Sequence, residues 1–152
     1  IDPADLPVAP NIHYLGGKSY SVLPEYLSGW NIAMIPFEKN ESTRFISPTK
    51  TPEYLAAARP VVSASIEDVV NPYGERGLVH IADSSDEFIK AVNKELARSA
   101  DEFAHWLKRV DGFMKELSWD NTTAKMEERI NECLTQLEAD KIQNKTGLRS
   151  VA

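Results

Sequence analysis

The chain of 152 residues is long enough for one domain with a real core, and its 42% hydrophobic and 26% charged residues are ordinary for a globular protein. A formal charge of −6 argues against a binder of duplex nucleic acid, which needs a basic face to displace counterions. The single cysteine, Cys133, excludes an intrachain disulfide; no apolar run approaches the ~20 residues that span a bilayer and no signal peptide is visible, so a cytoplasmic setting is expected.

There is no initiator methionine, and Ile1-Asp2-Pro3-Ala4-Asp5-Leu6-Pro7 reads as the tail of a strand entering a loop, so a fragment of a longer protein is expected. Asn11 to Gly17 is β-prone and ends in Gly16 and Gly17, the pattern of a strand meeting a turn. Leu23 to Ser28 predicts a short helix with Pro24 in its first turn. Asn31 to Pro36 is nearly continuous in apolar residues, as in a strand covered on both faces. The polar loop from Pro36 to Ile46 is long, and long ordered loops are often functional.

Ser47-Pro48 then predicts a helix start, with the Ser47 hydroxyl as N-cap and Pro48 where a missing N–H costs nothing. Pro60 closes that helix, and Pro60 to Ala64 reads as a buried strand. After a turn-rich stretch through Asn71-Pro72-Tyr73-Gly74, Gly77 to Ala82 supplies a fourth strand. Ser84-Ser85-Asp86-Glu87 is a capping-box signature opening a helix with Phe88, Val92 and Leu96 on one face. From Asp101 the pattern is helix only. Phe103, Trp106, Leu107 and Val110 form one stripe, extended by Phe113, Met114 and Leu117; after a break at Trp119-Asp120, Met126, Ile130, Cys133, Leu134 and Leu137 form another.

Alternating strands and helices predict an α/β fold with a Rossmann-like parallel sheet and flanking helices, followed by C-terminal helices. Residues 1–98 form the α/β domain, 99–140 a helical segment packing on it, and 141–152 a polar tail or linker. Crossovers of one hand place the βα loops along one edge, where such sheets bind ligands. The Ser47 helix start gathers unpaired N–H groups, and Lys50 adds a full charge, which suits a phosphate. His13, His80 and His105 show no metal-ligand spacing and read as structural; Cys133 reads as core filler, and Trp106 and Trp119 as packing anchors.

Glu53-Tyr54-Leu55-Ala56-Ala57-Ala58-Arg59-Pro60-Val61-Val62 resembles the C-terminal nucleotide-sugar-binding domain of a GT-B fold, group 1 type glycosyltransferase. Asn11-Ile12-His13-Tyr14-Leu15-Gly16, Leu23-Pro24-Glu25-Tyr26-Leu27, Asn31 to Pro36, Gly77-Leu78-Val79 and Ser118-Trp119-Asp120 fit the same order, covering roughly residues 11–135. The resemblance implies that Glu53 binds the ribose hydroxyls of a nucleotide-diphosphate sugar, since a carboxylate can accept from two adjacent hydroxyls. It implies that Ser47, Thr49 and Lys50 meet the diphosphate, that Gly16, Gly17 and Tyr20 border the nucleobase, and that no cofactor or metal is needed. Two departures stand out: the family's earlier glutamate is Phe45 here, so its contact to the transferred sugar passes to Glu41 or Arg44 or is absent, and the glycine ending the helix is Ala58. The resemblance further implies a carbohydrate or lipid-linked acceptor held by a missing N-terminal domain, with room for peripheral membrane contact in the full-length protein. The alternatives are a nucleotide-sugar epimerase of GT-B fold and a non-catalytic α/β interaction module whose helix pair binds a protein.

Overall fold

The computed structural model describes residues 5–147, so the reading of Ile1 to Ala4 as the end of a strand lies outside the described residues. The chain divides into two compact units, Ile1–Ala97 and Arg98–Ala152. The first is α/β. Its elements run α1 (Leu23–Ser28), β1 (Ala33–Ile35), α2 (Glu41–Arg44), α3 (Lys50–Ala56), β2 (Val61–Ser63), α4 (Glu67–Val69), β3 (His80–Ile81) and α5 (Ser85–Leu96). The three strands form one parallel sheet in the order β1-β2-β3, with Ala33 opposite Val61 and Ile35 opposite Ser63, then Val62 opposite His80 and Ser63 opposite Ile81. The core gathers on the central strand: Val61, Val62 and Ser63 are all buried, together with Ala33, Ile35, Leu55, Ile66, Val69, Leu78 and Val79.

Among the described residues the sheet has three strands where the sequence predicts four. Asn11 to Gly17 is irregular, and every residue from Asn11 to Tyr20 is exposed. β-propensity is realised only against a partner strand; here the polar groups are used locally, Ile12 N–H donating to Ala9 O at 3.0 Å and the Tyr14 hydroxyl to Pro7 O at 2.7 Å. The strand expected over Gly77 to Ala82 contracts to two residues. Leu78 N–H is taken by Tyr73 O at 2.9 Å and Gly77 adopts φ +64°, so the backbone is still in a turn where the ladder was expected to begin.

The helix expected from Ser47 starts later, with Thr49 as its N-cap and no side-chain cap bond. Thr51 N–H bonds to Pro48 O at 3.2 Å, so Pro48 supplies the first carbonyl instead of the first helical residue. Inside the long loop, α2 was not foreseen. Its signature is Asn40-x-x-Thr43, in which Asn40 Oδ1 accepts from Thr43 N–H and Thr43 Oγ1 accepts from Asn40 N–H, both at 3.0 Å.

α3 ends in a paired reversal. Ala58 sits at φ 56°, its N–H bonds to Leu55 O, and Arg59 N–H reaches back to Tyr54 O, each at 2.9 Å. This is the Schellman arrangement, which satisfies two carbonyls at the helix end and normally employs glycine at the left-handed position. α5 begins as read, with Ser84 and Glu87 completing the capping box.

The second unit contains α6 (Ala100–Met114), a 3-10 turn at Lys115–Leu117, and α7 (Trp119–Gly147). Trp106, Val110 and Phe113 are buried, and Ser99 with Glu102 caps α6. α7 continues through the expected tail as far as Gly147; the remainder lies outside the described residues. Its apolar stripe is open: Met126, Ile130, Leu134 and Leu137 are all more than half exposed, and Cys133 is exposed rather than core filler. Trp119 is 85% exposed and anchors nothing. It occupies the first turn of α7, where the neighbours one turn on are Thr122 and Thr123, neither of them a hydrophobic partner.

A left-handed alanine stores strain that glycine would release. Ala58→Gly is expected to stabilise the chain by about 1 kcal/mol in urea denaturation, and an unchanged or lowered midpoint would show that the reversal relaxes without it.

Candidate functional site

The reversal after α3 also builds a cavity. Glu53 and Ala57 are four positions apart and share one helix face, and Arg59 follows immediately after the turn. The Arg59 guanidinium is tied down by Nε donating to Ala57 O at 2.9 Å and by Nη1 donating to Trp30 O. Trp30, just past α1, meets Tyr54 of α3 edge-on with ring centroids 5.8 Å apart, so α1 and α3 are held side by side. Between them lies a cavity of about 380 Å³. Leu23, Pro24, Leu27 and Ala57 give it apolar walls, and Tyr20, Ser28, Glu53 and Arg59 give it polar groups. Tyr20 is 78% exposed on a 3-10 turn at Tyr20–Val22, a large aromatic face without packing partners of the kind a core tyrosine has. Tyr54, next to Glu53 in the chain, has its phenol pushed above its ordinary value, first by burial and then by the negative charge of Glu53.

A second polar assembly sits where the strands end. Asp83, in the loop after β3, accepts from Ser65 N–H at 2.9 Å, from Ser65 Oγ at 2.8 Å and from Lys39 Nζ at 2.9 Å. Ser65 follows β2 and Lys39 follows β1, so one carboxylate joins the loops of all three strands. Its pKa is held below the ordinary 3.8, chiefly by the Ser65 backbone N–H and next by the Lys39 hydrogen bond. Cavities of about 420 and 570 Å³ flank this joint, one against α2 and Glu67, the other against the start of α5. The N-terminus of α5 is already occupied by its own side chains: Glu87 Oε2 accepts from Asp83 N–H at 2.8 Å and Ser84 N–H at 3.0 Å, which lowers the Glu87 pKa.

Of the residues singled out in the sequence, Glu53 and Tyr20 are brought to one cavity. Arg44 is not; it lines the rim cavity against α2, with Glu41, and stacks over the exposed Phe45 ring at 5.2 Å. Ser47, Thr49 and Lys50 are exposed and line none of these three cavities. The cradle of free amides expected at their helix start is thinner than the sequence suggested, because Thr51 N–H is engaged and Pro52 has none. Lys50 does share a helix face with Glu53, three positions on. Gly16 and Gly17 are exposed; Gly16 has φ +68°, and a side chain at either would meet open space.

Sequence reasoning missed Arg59 and Asp83. Nothing local marks Asp83, while Arg59 could have been suspected as the residue that follows a helix-ending reversal. His80 pairs with the buried Glu95, His105 Nδ1 lies 2.7 Å from Asp101 O, and no group of potential metal ligands occurs among the described residues. Comparison with protein-family models, with curated proteins and with solved structures finds no match for the chain.

The Asp83 joint should be visible in acid. A carboxyl depressed in the folded state stabilises it above the unfolded value of 3.8, and that contribution disappears as pH falls through the lower folded value. Asp83→Asn should therefore be less stable than the parent near neutral pH, with the gap closing below pH 3.8 in denaturation curves. A gap of constant size across that range would remove the joint's electrostatic role.

Proposed function

We propose that the chain is the donor-binding part of a cytoplasmic glycosyltransferase, the Rossmann-like half of a GT-B architecture, which holds a nucleotide-diphosphate sugar for transfer to a carbohydrate or lipid-linked acceptor. The observation that carries this reading is that Glu53 and Tyr20 line one cavity, with an apolar wall between them. Such a cavity matches a nucleoside, which offers an aromatic base, a vicinal diol and little else. The Glu53 carboxylate accepts from both ribose hydroxyls, and the exposed Tyr20 ring provides a stacking face for the base. Lys50, one turn before Glu53 on the same face, meets the diphosphate and stabilises its negative charge as the glycosidic bond breaks. The acceptor site and further cations for the leaving group belong to a domain outside this chain, and no metal is required.

A second reading has its own support. The open stripe of Met126, Ile130, Leu134 and Leu137 on α7 is what a protein-interaction module would present. Nucleotides separate the two, since a pure interaction module gains no thermal stability from them.

Titration of uridine and guanosine diphosphates into the chain is expected to show binding that Glu53→Ala weakens at least about tenfold, the loss of charge-assisted bonds to two hydroxyls. Tyr20→Ala should weaken it by a similar factor through lost stacking. If Glu53→Ala binds as well as the parent, the ribose assignment fails and the transferase reading with it.

A further inference from the structure

The cavity beside α3 holds one group that the nucleotide reading leaves unused. A guanidinium carries five N–H donors and no acceptor. Arg59 spends one on Ala57 O and one on Trp30 O, which leaves three for which no partner occurs among the described residues, on a half-buried side chain lining the cavity. The two carbonyls fix the plane of the fork, so little side-chain freedom remains to be lost when a ligand arrives. Lys39, in the loop after β1, makes no comparable offer, because it is committed to Asp83.

The polar groups of this cavity are thus sorted by sign. Glu53, when ionised, can only accept, and Arg59 can only donate. A ribose diol satisfies the acceptor. The donor needs an oxygen or unprotonated nitrogen on the same ligand; with the diphosphate assigned to Lys50, the base is the part that remains. On the edge remote from the sugar, guanine and uracil present a keto oxygen where adenine and cytosine present an amino group. An amino group facing these N–H donors sets donor against donor and pairs with none of them, whereas a keto oxygen in the same place accepts from the fork.

We propose that Arg59 reads the keto oxygen of the donor's base, so that the cavity takes uracil or guanine nucleotides and rejects those of cytosine and adenine; this rests on the nucleotide reading given above. The comparison is cleanest between bases of equal size, uracil against cytosine and guanine against adenine, because shape and stacking then cancel.

Calorimetric titration of the whole chain with UDP, CDP, GDP and ADP tests this. Within each pair the keto base is expected to bind about tenfold tighter, and Arg59→Met should bring both ratios close to one. Because Arg59 also holds Trp30 O and Ala57 O, Arg59→Met can cost stability; ratios within one variant, measured where circular dichroism shows it folded, are insensitive to that loss. Arg59→Lys keeps a donor without the fork and should give an intermediate ratio. If UDP and CDP bind the parent equally while Glu53→Ala weakens both, the Arg59 assignment falls and the nucleotide reading stands. A keto preference that survives Arg59→Met also overturns it, since another group then reads the base. If none of the four nucleotides binds, both readings fall together.

Discussion

The first unit depends on the backbone conformation of Ala58. With φ at 56°, the chain turns so that two N–H groups fold back onto the end of α3, and the next carbonyl, that of Pro60, accepts from Ala33 N–H at 2.9 Å. That bond sets the alignment of β1 with β2, in which Ala33 faces Val61. The same reversal delivers Arg59 to Trp30 O and so ties the end of α1 to α3. Sheet register, helix placement and the wall of the cavity therefore share one cause. A left-handed residue bearing a Cβ is tolerated because the two returned hydrogen bonds and the buried strand beyond it over-determine the turn.

Two polar assemblies in this unit treat their charges in opposite ways. At the strand ends, Asp83 is satisfied by Ser65 and Lys39, and Glu87 by the amides that open α5. The Lys39–Asp83 pair is substantially exposed, 58% and 40% by side chain, so its Coulomb attraction counts for little. Its value is geometric, since one carboxylate fixes the loops that follow all three strands. Beside α3, by contrast, Glu53 and Arg59 line the same cavity, and three of the Arg59 donors are idle among the described residues. Strand order adds to the contrast. In β1-β2-β3 the order along the sheet follows the chain without reversal, so these strands provide no crevice of the type that doubly wound sheets open at a change of direction. The vacant polar chemistry lies on the helix layer instead.

What the sequence disclosed followed from how local each signal is. β1, β2 and α5 were legible because apolar runs and a Ser-x-x-Glu cap act over a few residues, and the coarse α/β class followed from their alternation. Asn11 to Gly17 misled because propensity speaks for a strand without naming its partner, and these residues bond to Ala9 and Pro7. Ser47 misled because a Ser-Pro pair fits a helix start equally well when Pro48 contributes only its carbonyl. Periodicity revealed α7 but not what covers it, so Cys133 and Trp119 were assigned to interiors that the described residues do not provide. For the cavity, Glu53 and Tyr20 came from a resemblance, whereas Arg59 depends on a turn and on the carbonyl of Trp30, a residue remote in sequence. No single-residue pattern encodes that meeting.

The cavity's two walls differ in how firmly they are held, and this bears on what each can contribute to recognition. Glu53 and Arg59 are mounted on α3 and its reversal, which lead directly into the most buried strand; Val61 and Val62 are at most 1% exposed. Tyr20 stands on a 3-10 turn secured by Val22 N–H to Ser19 O at 3.2 Å, after a run of exposed irregular chain. A ligand gains specificity from groups whose positions are already fixed, because a misplaced atom cannot be accommodated by their movement. It gains affinity from the aromatic face only after subtracting the entropy of ordering that face. On the proposed reading, discrimination between nucleosides therefore resides in the α3 wall, while overall affinity varies with how well the segment carrying Tyr20 is held. Contacts that fix this segment would tighten every nucleotide together and leave the choice among them unchanged.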